Sequence, residues 1–533
     1  MERLSPLDAA FLDAEDEDSN ASLAIASVAV LDGPAPTLEE FTASIAGRLP
    51  LVSRYRQKVR QLPFDLGAPL WIDDPGFDIA DHVQCVQAPG PGDDDALCDL
   101  FASIMSRRLD RSHPLWETWL VEGLAGGRWA VLSKVHHCMA DGISGNELYR
   151  VFCDETPEPG GAIEDEWTPG PQPDRLSLTL DALGDLARSP AEQVRLVAVG
   201  LSAPKVLAKR IADTARGLIR MAGVLMPVTA TSLSGPIGRR RGYAVARAEL
   251  SDITGVARAF RVTLNDVALA AITGAYRAHL LRCGREPDAD AVRSLVPVSV
   301  RTAHGRGIID NRISLMLPLL PVEIADPVDR LAEVHLRLRA LKTGKEAEAG
   351  AAMTELAKHE PFALISLGIR LAARLPQRNI VTVTTNVPGS ARPLYILGRR
   401  IREILPFVPI AVRLRSGVAI LTYAGAVRFG ITADLDNGPD PRQMAADIAA
   451  ELAQLKAAAE RLAPALAVVP AEPAEPVVPA GPRLTAKRAA KPATRPAAKT
   501  AMKIAVKVAA RTGAPPAKAQ PARRKKAAGV TAR

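Results

Sequence analysis

The sequence predicts an α/β fold built in two halves, and three observations carry that prediction. Short β-branched runs with partial alternation recur in both halves, and stretches with apolar residues at helical spacing separate them. The chain has 533 residues, of which 47% are hydrophobic and 24% charged, enough for two or more domains with sizeable cores. Length and composition exclude a single small module and a fibrous chain.

Taken in order, residues 22–32 (SLAIASVAVLD) and 128–137 (RWAVLSKVHH) read as strands, with helices expected over 37–49 and 94–109. Residues 156–175 are rich in Pro, Gly and acid and read as a surface loop that closes the first half. From 176 to 226 the pattern is helical, with Lys205, Lys209, Arg210, Arg216 and Arg220 interleaved with Leu, Val and Ile. Such a basic amphipathic stretch suits an anionic lipid surface as well as a connection between domains, and both readings stand at this point. In the second half a helix is expected over 263–281, strands over 291–301, 312–318, 380–386 and 418–423, and helices over 330–342 and 440–461. No solenoid-type repeat is present. The domain organisation expected is 1–175, a helical linker 176–235, a second domain 236–465, and a tail 466–533.

Charge is divided along the chain. The net charge is +8, yet residues 483–533 hold fifteen Lys and Arg and no acid, which leaves the remainder at −7. An Ala, Pro and Lys tail of this kind lacks the apolar surface to offset its ordering entropy and is expected to be disordered. Its cations suit an anionic partner, nucleic acid or lipid, and equally a merely solubilising role. The five cysteines, Cys85, Cys98, Cys138, Cys153 and Cys283, show no metal or disulfide spacing, which fits a reducing compartment. The acidic run 13–18 is unlike a secretory leader. The longest uncharged window, 221–238, is interrupted by Pro227, Pro236 and three glycines, so no membrane span is expected.

The segment most informative about chemistry is His136-His137-Cys138-Met139-Ala140-Asp141-Gly142-Ile143-Ser144-Gly145, where a strand gives way to a helix expected over 146–152. Histidine is the side chain whose ordinary pKa lies nearest working pH, as a general base requires. A carboxylate a few residues on, past a turn, suits the pairing of a cation or the holding of the local backbone, and glycines allow a sharp turn. Three other readings compete. Neighbouring strand residues face opposite sides, which disfavours both histidines chelating one metal; Cys138 beside a histidine is a conceivable nucleophile; and a histidine can be purely structural. No G-x-S-x-G elbow, phosphate-binding P-loop or dinucleotide fingerprint occurs.

HHCMADG resembles the HHxxxDG signature of the chloramphenicol acetyltransferase-like superfamily, and within it the bacterial wax ester synthase/diacylglycerol acyltransferase (WS/DGAT) family. Four further segments agree, in family order: Leu4-Ser5-Pro6-Leu7-Asp8, Pro114-Leu115-Trp116, Asn265-Asp266-Val267-Ala268-Leu269-Ala270 and Thr385-Asn386-Val387-Pro388-Gly389. Together they cover roughly residues 1–460; the tail lies outside the pattern. The resemblance implies a two-domain CoA-dependent acyltransferase fold, with mixed sheets flanked by helices and a tunnel between domains. It also implies that His137 is the base, with His136 among the catalytic residues, that Asp141 and Gly142 shape its loop, and that Asn265 and Asp266 support the site from the second domain. Arg301 is the candidate cation for Asp141. The implied reaction moves a long-chain acyl group from acyl-CoA, a co-substrate, to diacylglycerol or a long-chain alcohol, with no metal or other cofactor. Water-insoluble substrates imply a cytoplasmic protein peripheral to the inner membrane or to lipid droplets. The competing possibilities are condensation from an acyl carrier protein, and a non-catalytic lipid-body or nucleic-acid-associated protein acting through its basic tail.

Overall fold

The computed structural model describes residues 2–62, 68–142, 152–174 apart from 162 and 173, 232–299 apart from 290, 313–343, and 380–467 apart from 412. The expected helices at 146–152 and 176–226, Arg301 and the tail beyond Ala467 thus fall outside the described residues, save Phe152.

The chain starts with α1 (Pro6–Glu17). Ser5 caps it by accepting the Asp8 amide at 3.1 Å, and Pro6 lies in its first turn, where no intrahelical donor is missed. The LSPLD segment is therefore a helix-start device. The first sheet is built from β1 (Ala24–Leu31), β4 (Val83–Gln87), β5 (Trp116–Leu124) and β6 (Arg128–His136). Two strands from far down the sequence, β11 (Tyr395–Ile396) and β12 (Arg399–Phe407), complete it in the order β11-β12-β1-β6-β5-β4. All pairs are antiparallel except β4 with β5, so the sheet is mixed. Helices α2 (Leu38–Ala46) and α3 (Asp94–Met105) pack their apolar faces into the same core as the sheet, around Trp116, Trp129 and Phe101. A small ribbon of β2 (Gln57–Arg60) and β3 (Leu70–Asp73) stands apart from it.

The second sheet runs β7-β14-β13-β10-β8-β9, from β7 (Arg241–Glu249), β8 (Ser294–Ser299), β9 (Ile313–Met316), β10 (Thr382–Pro388), β13 (Ser416–Tyr423) and β14 (Ala426–Asp434). It too is mixed, since β10 is parallel to both β8 and β13. Helices α4 (Leu250–Phe260), α5 (Leu264–Arg282), α6 (Pro327–Thr343) and α7 (Pro441–Ala467) share a core with this sheet. An unbroken run from Asp266 to Tyr276 is buried along α5, as expected of a helix apolar on every side. Its Tyr276 hydroxyl ties it to the sheet, at 2.6 Å from Thr382 Oγ1 and 2.9 Å from Ser416 Oγ.

The two sheets meet where β12 leaves the first and passes β14. A Cβ on Gly430 would lie 1.9 Å from the Pro406 carbonyl oxygen, so glycine is the residue that fits, and Tyr243 donates to that same oxygen at 2.7 Å. Alongside, Glu403 accepts from Arg247 at 3.1 Å and Arg428 at 2.6 Å. Burial alone would raise the Glu403 carboxyl, but the two guanidinium groups hold it below its ordinary pKa. A cleft of about 360 Å³ lined by these groups, Arg128 and Arg402 lies at the opposite end of β6 from the histidines.

Candidate active site

Strand β6 ends at His136, and His137 begins a 3₁₀ segment, His137–Gly142. The change of backbone decides where the rings go. On a continuing strand they would face opposite sides; here both meet α1, where Phe11 stacks on His137 with centroids 3.9 Å apart and Glu15, one turn on, faces His136. Two backbone bonds fix the junction: the His136 amide donates to Leu115 O and the His137 amide to Leu23 O, each at 2.9 Å. The PLW segment thus reaches the site through the carbonyl of Leu115, while Trp116 is buried on His82 with ring centroids 4.5 Å apart.

His136 is 1% exposed and Glu15 2%. The Cys138 amide donates to His136 Nδ1 at 3.2 Å, so that nitrogen is the unprotonated one and Nε2 carries the hydrogen. Nε2 lies 3.4 Å from Glu15 Oε1, long for a hydrogen bond, and it has no hydrogen-bond partner of normal length among the described residues. Glu15 is otherwise saturated: Oε1 accepts the Leu23 amide at 2.5 Å and Oε2 meets Arg111 at 3.1 Å. Burial would raise its carboxyl, yet His136, the Leu23 amide and Arg111 together bring it down to about 2, so it is ionised.

Further cations hold this corner. Arg111 also donates to Leu12 O at 3.1 Å, and Arg108 donates to Ala21 O at 2.8 Å and to Glu15 O. These guanidinium groups, from the loop after α3, serve the C-terminal end of α1, which has no basic residue in its own last turn. Lys134, two residues before His136 and fully buried, donates to Arg107 O at 2.8 Å and Ile104 O at 3.2 Å, closing the end of α3.

His137 is partly exposed. Loss of hydration lowers its pKa to about 4; a hydrogen bond from the ring to its own backbone works the other way, and the neighbouring His136 lowers it further. The imidazole is neutral at working pH, the state in which it accepts a proton. Cys138 beside it is 3% exposed, and burial pushes its thiol far above the ordinary range, so it is no thiolate. Among the described residues no group of His, Cys, Asp and Glu could hold a metal ion.

The sequence-predicted residues of the second half sit at the start of α5. Thr263 and Asp266 form a reciprocal capping box, and Asp266, 1% exposed, also meets His335 Nδ1 of α6 at 2.8 Å. Asn265 accepts from Asn386 of β10 at 3.3 Å, which joins the two family segments of the second half to each other. The described hydrogen bonds of Asn265 and Asp266 go to these partners and not to the histidines. Asp141 and Gly142 close the 3₁₀ segment, and Arg301, expected opposite Asp141, lies outside the described residues. Sequence reasoning missed Glu15 and Phe11, having read 13–18 only as unlike a leader. The signal was present: Asp8, Leu12 and Glu15 fall on one helical face, and all three are buried.

Comparison with known proteins shows the family. The wax ester synthase/diacylglycerol acyltransferase catalytic domain matches residues 4–268, and the WS/DGAT C-terminal domain matches 309–456. The probable diacylglycerol O-acyltransferase tgs1 of Mycobacterium tuberculosis is 44% identical over 461 residues, 86% of this chain and 97% of that protein. Rv3371, also of M. tuberculosis and also named as a diacylglycerol O-acyltransferase, is 35% identical over 457 residues, 86% of this chain and 91% of its own length. The solved wax ester synthase/diacylglycerol acyltransferase of Marinobacter aquaeolei has the same fold, with a TM-score of 0.60 at 23% identity over 86% of this chain and all of that one. No helix among the described residues is long and apolar enough to cross a membrane. This chain is an acyltransferase belonging to the WS/DGAT family.

Proposed function

We propose that the protein transfers a long-chain acyl group from acyl-CoA to the free hydroxyl of diacylglycerol, with His137 as the general base. The observation that carries the reading is the placement of that ring: partly exposed, neutral and stacked on Phe11, with its backbone amide fixed on the Leu23 carbonyl where β6 turns into the HHxxxDG loop. Nδ1 is the ring nitrogen near enough to bond its own backbone carbonyl, and Nε2 is assigned to the substrate hydroxyl.

Nε2 takes the proton of the acceptor hydroxyl as its oxygen attacks the thioester carbonyl. The tetrahedral adduct collapses with cleavage of the carbon–sulfur bond, and the imidazolium returns the proton to the departing CoA thiolate. The ester oxygen comes from the alcohol, the base ends the cycle neutral, and no acyl-enzyme forms. The buried thiol of Cys138 agrees with direct transfer. Positioned proton transfer contributes about 10² to 10⁴ in rate, so alignment of the two substrates supplies much of the rest. Asp141 and Gly142 are assigned to the shape of the base's loop, and Asn265 and Asp266 to holding the start of α5 against β10 and α6. The relatives named as diacylglycerol O-acyltransferases favour diacylglycerol as acceptor, and fatty alcohols are the second acceptor class to test.

Purified protein given radiolabelled palmitoyl-CoA with diacylglycerol and with hexadecanol, in separate reactions, tests the reading. Triacylglycerol formation well above hexadecyl ester formation is the expected result. No ester from either acceptor overturns it.

A further inference from the structure

On α1, a carboxylate buried at 2% exposure among the groups that shape a reactive loop, and held ionised by them, is not explained by helix packing alone. An exposed Glu at that position would leave α1 intact. Glu15 instead spends its lone pairs on the Leu23 amide, on Arg111 and on the Nε2 face of His136. Leu23 is also the residue whose carbonyl takes the His137 amide, so one carboxylate fixes both the strand that receives His137 and the ring that precedes it.

We propose that Glu15 is a positioning residue for acyl transfer, acting through His136. The carboxylate selects the tautomer of His136 with its hydrogen on Nε2. Nδ1 is then the acceptor for the Cys138 amide and pins the first turn of the 3₁₀ segment on which His137 stands. With the other tautomer, two N–H groups, His136 Nδ1 and the Cys138 amide, would confront each other, and the turn would have to open. Phe11, on the same face of α1, stacks on the ring that this turn delivers. α1 thereby works as a clamp on both histidines. The inference rests on His137 being the base, and a misplacement of the base by about 1 Å is enough to cost roughly 100-fold in rate.

The test compares the full-length protein with Glu15→Gln and Glu15→Met, in steady-state assays with palmitoyl-CoA and diacylglycerol, alongside ¹⁵N NMR of the His136 ring. Gln keeps an acceptor for the Leu23 amide and for Nε2–H; Met keeps neither. Glu15→Met is expected to lower kcat about 10- to 100-fold with KM for both substrates within about twofold, and Glu15→Gln to recover kcat to within roughly threefold of wild type. The wild-type ring should show Nδ1 unprotonated, and in Glu15→Met that preference should be lost. Unchanged kcat in folded Glu15→Met overturns the proposal. So does a wild-type His136 protonated on Nδ1, a measurement that decides the matter alone if Glu15→Met does not fold. Turnover that survives in His137→Ala would instead remove the base itself, and the His136 tautomer would still report on Glu15.

Discussion

Two neighbourhoods carry the family's sequence segments, and they are built by opposite means. Around His136 and His137 the protein buries charged and polar groups: Glu15, Lys134 and His136 are each at most 2% exposed and are held by backbone amides and carbonyls and by guanidinium groups from a distant loop. Around Asn265 and Asp266 it buries carbon. There α5 is sheathed in Val, Leu, Ile and Ala, and the polar residues at its start serve its own first turn and the side chains of His335 and Asn386. A charged corner fixes direction, because each hydrogen bond accepts only one geometry; an apolar helix fixes depth, because dispersion and burial are indifferent to small rotations. The contrast supports the proposed division, in which the first neighbourhood performs the chemistry and the second supports it.

That contrast can be broken at three places. The largest effect is expected where the neighbourhoods are joined: Gly430→Ala drives a methyl into the Pro406 carbonyl, which is backbone and cannot rotate away, and should cost at least about 3 kcal/mol in thermal or denaturant unfolding. A wild-type midpoint for that variant would mean that β12 and β14 are not in contact as described.

Acid comes next and acts strongly on the charged corner. The folded-state pKa of His137 is depressed from 6.5 to about 4, so its unfolded state binds more protons across that range. Stability is complete above about pH 6.5 and declines as pH falls towards 4, by on the order of 2 to 3 kcal/mol. Glu15, lowered from 4.5 to about 2, stabilises fully above pH 4.5 and is lost as pH falls through that lower window. Unfolding measured from pH 7 to 3 should show the first decline in wild type, and a smaller one in His137→Ala, where His82 and His279, also lowered by burial, still contribute. The smallest effect is expected in the apolar neighbourhood. Thr263→Ala removes the cap of α5 at a cost of about 1 kcal/mol, with kcat changed less than twofold. A tenfold fall in kcat there would show that the start of α5 takes part in the chemistry.

The elements legible in the sequence were those with a single dominant period. α5 and α7 announce themselves through apolar residues at helical spacing, and β1, β6 and β13 through β-branched runs. The edges moved by a few residues, as at α3, which ends at Met105 rather than 109. β12 escaped notice because its charged, alternating start, RRIRE, gives way to an apolar stretch with a proline, and β7 because of its arginines. That β12 pairs with β1, more than 360 residues away, is a fact of topology with no local signature. At the candidate site the histidines stood out by spacing, but Glu15 and Arg111 did not. A surface acid and a buried one have the same letter, and only the helix phase set by Asp8 and Leu12 marks Glu15 as inward.

The central claim is that one neutral imidazole, His137, performs the proton transfer. Acyl transfer by His137→Ala, measured with labelled palmitoyl-CoA and diacylglycerol on protein whose folding is verified by circular dichroism, tests it most directly. The account predicts a fall of at least about 100-fold in kcat with the fold retained. Turnover within a fewfold of wild type in that folded variant would contradict it.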